Sequence, residues 1–143
     1  MATLFVEIVT PEAALWSGEA SSITARSSDG DFTILPQHTP TVGDIVPGIV
    51  RVESLEGELS FCVHGGFFQV GPDDKPETTR TTVLAGIAEK TTEIDVARAQ
   101  AAKETAEAQL AAASRGESND AVSERLANDA LARAQLRLDA AAR

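Results

Sequence analysis

The sequence predicts a β plus α protein: a β-sandwich over residues 1–90 followed by an antiparallel helical hairpin over 91–143. Two observations carry this. All six prolines, nine of the ten glycines, all five Phe and the single Trp precede Glu89. From Thr91 to Arg143 there are 17 alanines, one glycine (Gly116) and no proline. Gly and Pro punctuate strands and turns, whereas Ala is the strongest helix former.

Residues 4–9 (LFVEIV) read as a first strand, stopped by Pro11. Residues 21–27 follow, ended by the turn signal Ser28-Asp29-Gly30, and then residues 32–36, with Pro36 at a strand end. A loop from Gln37 to Thr41 leads to strands at 48–52 and 59–63, which flank a hairpin turn at Glu56-Gly57-Glu58. Strands at 67–70 and 81–85 are separated by a polar loop, Pro72 to Thr79. Many short strands with close turns predict a sandwich or flattened barrel.

Helix one is expected to start between Thr92 and Asp95, capped by one of these two, and to run to about Ala113. Positions 94, 97, 101, 105, 108 and 112 share one face at helical spacing. A polar turn, Ser114 to Asp120, leads to helix two from about Ala121 to Ala142, striped by Ala127, Leu131, Ala134, Leu138 and Ala141. The short connection predicts an antiparallel hairpin, each helix roughly 30 Å long. A buried CH₂ contributes about 0.8 kcal/mol, so an alanine seam docks weakly while helix propensity keeps each rod intact. That combination suits a two-state element; a static helical appendix fits the same composition.

The net charge of −10 argues against a nucleic-acid binder and against adhesion to anionic lipid. Residues 1–90 carry 13 acids and 5 bases; residues 91–143 carry 9 acids and 7 bases. From Arg125 onward four arginines (125, 133, 137, 143) face two acids, making a mildly basic tip suited to an acidic protein partner. The N-terminus lacks a signal-peptide pattern, and no stretch approaches the roughly 20 apolar residues of a membrane span, so a cytoplasmic protein without direct membrane insertion is expected.

Catalytic constellations are weak. Cys62, the single cysteine, precludes an internal disulfide and reads as a buried, inert thiol in an apolar strand. His64 reads as structural, and neither His38 nor His64 has a Cys or second His at metal-ligand spacing, so no metal site is expected. Gly65-Gly66 is not a phosphate loop, and Glu53, Glu56 and Glu58 read as solvated acids around a turn.

The run Asp29–Pro40 (DGDFTILPQHTP) carries a more specific signal. With it go Gly18-Glu19-Ala20, Pro47-Gly48, Gly65-Gly66-Phe67, Thr82–Ala85, Ala88-Glu89 and the junction Ile94-Asp95-Val96-Ala97-Arg98-Ala99. In order and spacing these resemble the epsilon-subunit family of rotary F-type ATP synthases over nearly the whole chain. The resemblance implies a sandwich of about ten strands plus a helical hairpin, and a non-catalytic central-stalk role. The sandwich would bind the gamma subunit and rest on the ring of c subunits. The hairpin would fold down or extend toward the catalytic head to inhibit ATP hydrolysis. It places the chain on the cytoplasmic face of the bacterial inner membrane, since the mitochondrial counterpart normally arrives with a presequence.

By the same resemblance Asp31 and His38 match c-ring or gamma contacts. Arg125, Arg133 and Arg137 match contacts to an acidic segment of the beta subunit. Glu89, Ile94, Asp95, Arg98, Ala99, Arg133 and Arg137 match a regulatory ATP site of some bacterial members. Guanidinium forks suit phosphate, but ATP-binding relatives carry a basic residue where this chain has Thr105. An ATP-sensing module is therefore the alternative function, and a standalone binding module with an unrelated helical tail a third. The same residues also read as a pinned helix start (Asp95, Arg98), with Arg133 and Arg137 meeting acids on the beta subunit. The loop from Gly71 to Thr81 is longer than the family's usual connection.

Overall fold

The structure is a computed structural model that describes residues 2–116 and 121–142. The chain divides into two compact units, residues 1–90 and 91–143.

Among the described residues the first unit has nine strands, against the ten or so expected. They are β1 Thr3–Val9, β2 Ala14–Ser27, β3 Gly30–Ile34, β4 Thr41–Ile45, β5 Gly48–Ser54, β6 Gly57–Val63, β7 Gly66–Pro72, β8 Thr78–Ala85 and β9 Ala88–Lys90. Their order is β4-β7-β8-β1-β2-β5-β6-β9, with β3 also on β2, and β1 with β8 is the parallel pair. The 14-residue β2 turns this path into two layers. Residues 14–20 pair with β1, while residues 20–24 pair with β5 and residues 23–27 with β3. The register slips between Ala20 and Ser22. Such a bulge bends a strand and raises its twist, carrying β2 from one layer into the other.

The inner faces meet in one core. Leu4, Val6 and Ile8 of β1, Ile23 of β2, Val50 and Val52 of β5, Phe61 and Val63 of β6, Phe68 and Val70 of β7 and Val83 of β8 are all buried in it. Alternate residues along β1 and β8 point into it, as half-buried strands require. Phe32 of β3 stacks on Phe68 of β7, centroids 4.5 Å apart.

Several strand expectations change: β3 is Gly30–Ile34, ending before Pro36, and β9, Ala88–Lys90, is not among the strands expected. The run at 21–27 is only the back half of β2; Leu15 and Trp16 of its front half pack against the core. β4 escapes a sequence reading because Gly43 interrupts it and prolines at 40 and 47 flank it. The loop expected from Pro72 to Thr79 shrinks to residues 73–77, because Pro72 pairs with Thr79 and Gly71 with Arg80. Its ends are stapled by the Asp73 amide donating to the Thr78 carbonyl at 2.9 Å.

Gly66 opens β7 hard against β8. A Cβ there would stand 2.1 Å from the Leu84 carbonyl oxygen and 3.0 Å from the Ala85 Cα. Both neighbours are backbone inside a ladder and cannot yield.

The second unit begins with a 3-10 turn, Thr91–Glu93, followed by α1 Val96–Ser114 and α2 Ala121–Ala141. Asp95 caps α1 in extended conformation, its Oδ1 accepting from the Arg98 amide at 3.0 Å. Gly116, at φ +76, lies beyond the end of α1, and its amide donates to the Ala113 carbonyl. The expected turn residues 117–120 lie outside the described residues, as does Arg143. The helices pack on one another, and the 3-10 turn rests on α2.

The buried face of α1 differs from the expected one. Ala99 and Ala106 are buried, with Lys103, Leu110 and Ala113 partly buried in register between and beyond them. Ala97, Ala101, Thr105 and Ala108 are exposed, and the Thr105 hydroxyl donates back to the Ala101 carbonyl. Alanine occupies nearly every face of this helix, so it does not phase the stripe; Leu110, its bulkiest interior side chain, does. On α2 the expected stripe stands: Ala127 and Ala134 are buried and Leu131, Leu138 and Ala141 partly so, with Ala140 added at 0% exposure.

Replacing Gly66 by Ala should destabilise the first unit by about 3 kcal/mol through overpacking. Gly86→Ala, where a Cβ meets nothing within 4 Å, should stay within about 0.5 kcal/mol. Urea unfolding followed by tryptophan fluorescence reads both.

Candidate functional site

The residues singled out in the sequence are spread over both units. Asp31 opens β3 in register with Arg26 of β2, and the Arg26 guanidinium donates to its Oδ1 at 2.7 Å. Both side chains are more than three-fifths exposed. The hydrogen bond and the charge of Arg26 hold the Asp31 carboxyl below the usual carboxylate range. The turn beside it is fastened to β4, where Asp44 accepts from the Ser28 amide and hydroxyl at 3.1 and 3.2 Å.

His38 lies beyond the other end of β3. Its amide donates to the Leu35 carbonyl, and its Nδ1 lies 2.7 Å from the Thr39 carbonyl. Gln37 holds this turn at φ 70, and its amide donates to the Thr79 hydroxyl at 2.8 Å, tying the turn to β8. Between this turn and residues 72–79 is an open cleft of about 400 Å³, lined by His38, Pro40, Asp73, Asp74, Lys75 and Glu77 among others. The 73–77 loop, without a role in the sequence, is one wall of it. Behind that wall Arg80 donates to Glu7 and, at 3.2 Å, to Asp73, with its guanidinium over the Phe5 ring. Asp31 and His38 thus mark opposite ends of one strand.

In the second unit Ile94, Asp95, Arg98 and Ala99 gather at the start of α1. The Asp95–Arg98 contact is carboxylate to backbone amide, a cap. Ala99 is buried in the helix pair. Arg133 and Arg137 stand one turn apart on α2, both partly buried, and Arg125 is exposed further toward its start. Glu89 belongs to the first unit, in β9.

Folding also assembles a cluster that was not anticipated from the sequence. Cys62 of β6 pairs directly with Glu89 of β9, and His64 follows two residues on. The Cys62 Sγ is 3.6 Å from His64 Nε2, which is 3.9 Å from Glu89 Oε1. The three donor atoms lie within 4.8 Å of one another. Sequence spacing alone suggested no metal site at His38 or His64; the fold brings Cys62 and Glu89 to His64. The spacing Cys-x-His puts both side chains on one face of an extended chain, a period-two signal that was legible; the Glu89 partner depends on strand pairing and was not. The carboxylates at 53, 56 and 58 stay around their turn, Glu58 facing Arg51 at 3.8 Å.

Comparison with known proteins agrees with this two-part architecture. The family described as "ATP synthase, Delta/Epsilon chain, beta-sandwich domain" matches residues 3–91, and "ATP synthase, Delta/Epsilon chain, long alpha-helix domain" matches residues 92–142. The ATP synthase epsilon chain of Desulforudis audaxviator is 46% identical over 112 residues, 78% of this chain and 77% of that protein. That of Halalkalibacterium halodurans is 36% identical over 143 residues, the whole of both chains. Among solved structures, a chain in the Euglena gracilis mitochondrial ATP synthase (OSCP/F1/c-ring) shares the fold at a TM-score of 0.77 and 24% identity, covering 100% of this chain and 83% of that one. With both units matched in order and relatives aligned over most of their length, the chain belongs to the ATP synthase delta/epsilon chain family, a non-catalytic subunit of that complex.

Proposed function

We propose that this chain is a central-stalk subunit that couples proton flow to ATP synthesis, with the helical hairpin acting as a mobile brake on ATP hydrolysis. The observation that carries the brake is the chemistry of the helix pair. Its buried residues, Ala99, Ala106, Ala127, Ala134 and Ala140, are all alanine. Five buried methyls contribute roughly 4 kcal/mol before the cost of ordering the pair. Helices of high intrinsic propensity joined by so thin a seam separate without unravelling.

In this reading the sandwich binds the gamma subunit and rests on the c-ring at the cytoplasmic face of the bacterial membrane. No helix among the described residues is long and apolar enough to cross a bilayer, which fits a peripheral subunit. Asp31 and His38, at opposite ends of β3, are assigned to two different partner surfaces, not to one. Arg125, Arg133 and Arg137 meet an acidic segment of the beta subunit when the hairpin extends.

Regulatory ATP binding by Glu89, Ile94, Asp95, Arg98, Ala99, Arg133 and Arg137 is the weaker reading. Asp95 is engaged as a helix cap, and Thr105, bonded to its own helix, offers no cation to a phosphate.

Two outcomes are expected. In the reconstituted complex, Arg125, Arg133 and Arg137 changed together to Ala should raise ATP hydrolysis several-fold, approaching the rate without residues 91–143, while the sandwich keeps its circular dichroism. Each exposed pair contributes only about 0–1 kcal/mol, so single changes should do little. Unchanged hydrolysis in both the triple variant and the truncation would remove the brake. Separately, the Asp31 carboxyl, depressed by Arg26, adds stability that is present above its unfolded pKa and is lost as pH falls through the lower folded value. Arg26→Gln should raise the Asp31 NMR titration midpoint; an unmoved midpoint would contradict the pairing.

A further inference from the structure

The Cys62, His64 and Glu89 cluster shares only Glu89 with the residues assigned above. From its geometry we infer a binding site for a single divalent transition-metal ion, zinc above all, held by the Cys62 thiolate, His64 Nε2 and a Glu89 carboxylate oxygen.

The competing chemistry for these residue types is a nucleophilic relay. A relay needs a histidine that presents one ring nitrogen to the thiol and the other to the carboxylate. Here the thiol sulfur and the carboxylate oxygen both approach the same nitrogen, Nε2, at 3.6 and 3.9 Å. Cys62 is also 0% exposed and reaches no substrate. Three donors within 4.8 Å of one another are the raw material of a coordination sphere.

The sulfur–nitrogen distance fits zinc, and the carboxylate must close in on both partners. Bonds of about 2.3 Å to sulfur and 2.0–2.1 Å to nitrogen and oxygen, at tetrahedral angles, put sulfur about 3.5 Å from nitrogen and nitrogen about 3.3 Å from oxygen. The sulfur–nitrogen pair already stands at that separation. The carboxylate is about 0.6 Å too far from Nε2, a gap that a small rotation of the Glu89 side chain closes. A thiolate, an imidazole and a carboxylate form a borderline-soft donor set, which favours zinc over magnesium or calcium. Three protein ligands leave a fourth position for water on the Glu89 side, where that side chain is 28% exposed and His64 only 4%.

The backbone holds the ligands in place. Cys62 and Glu89 are register partners across β6 and β9. The His64 amide donates to the Ile87 carbonyl at 3.0 Å, fixing the end of β6 against the link into β9. Gly65, at φ +101, then turns the chain away. On binding, the thiol releases its proton to solvent, the sulfur and imidazole lone pairs form two bonds to the metal, and the carboxylate forms the third; no redox step is involved. The ion fastens the three-residue strand β9, whose last residue, Lys90, immediately precedes the helical unit. Metal supply thereby acts on the point where the chain passes from one unit to the next.

The test is titration of the full chain with cobalt(II), followed by displacement with zinc. The expected result is a thiolate-to-cobalt charge-transfer band in the near ultraviolet, tetrahedral d–d bands in the visible, release of one proton per ion, and loss of all bands on adding one equivalent of zinc. Cys62→Ser should abolish the charge-transfer band. His64→Gln and Glu89→Gln should each weaken zinc binding by about 10- to 100-fold or more. The wild-type spectrum needs no variant, and Glu89 sits at a partly exposed edge, so the test stays decisive even where a Cys62 variant fails to fold. Absence of the sulfur-to-cobalt band in wild type, or zinc affinity equal in wild type, His64→Gln and Glu89→Gln, would overturn the site.

Discussion

The helix pair is held by methyl groups. Every buried position described on α1 and α2 is an alanine, and the larger partners, Leu110, Leu131 and Leu138, are only partly covered. Removing an alanine methyl from water yields about a third of what a leucine side chain yields. The constraint has two sides. Close approach of two backbones is possible only because the side chains between them are small, yet the same smallness caps the energy of contact. The rods are stable for a different reason: alanine propensity, the Asp95 cap and the Gly116 stop act within each helix and persist when the pair opens. The proposed brake rests on this separation of local from tertiary stability.

The first unit is built in the opposite way. Its core takes Phe, Ile, Leu and Val from both layers, and β2 belongs to both, so neither layer can loosen alone. The tight contact at Gly66 locks β7 to β8, and the staples at Ser28–Asp44 and Gln37–Thr79 fix the turns at both ends of β3. Asp31 and the His38 turn are therefore held by the same tightly paired body. The composition break near Glu89 separates a unit with a bulky core from one whose buried residues, among those described, are alanines.

Much of this was legible in the sequence, and the exceptions have physical causes. Strands β1, β5, β6 and β8 announce themselves through their apolar and β-branched runs between turn residues, and Asp95 through its place before an unbroken helical run. β4 does not, because Gly43 and two flanking prolines erase the pattern while tertiary pairing with β7 restores the strand. The face of α1 was misphased because periodicity needs contrast, and a helix that is alanine on most faces has little. At the sites, cross-strand neighbours such as Arg26–Asp31 and Cys62–Glu89 depend on register. A sequence reveals register only where a tight turn fixes it, as Ser28-Asp29-Gly30 does for the first pair but nothing does for the second.

Native-state hydrogen exchange on the full chain tests the difference between the two units most directly. Amides along residues 99–113 and 123–140 should exchange through openings several kcal/mol easier than those of β1, β6 and β8, with no loss of protection in the strands. If the slowest helical amides instead exchange only with global unfolding, at the same free energy as the sandwich core, the alanine seam is not a weak latch and the brake has no physical basis.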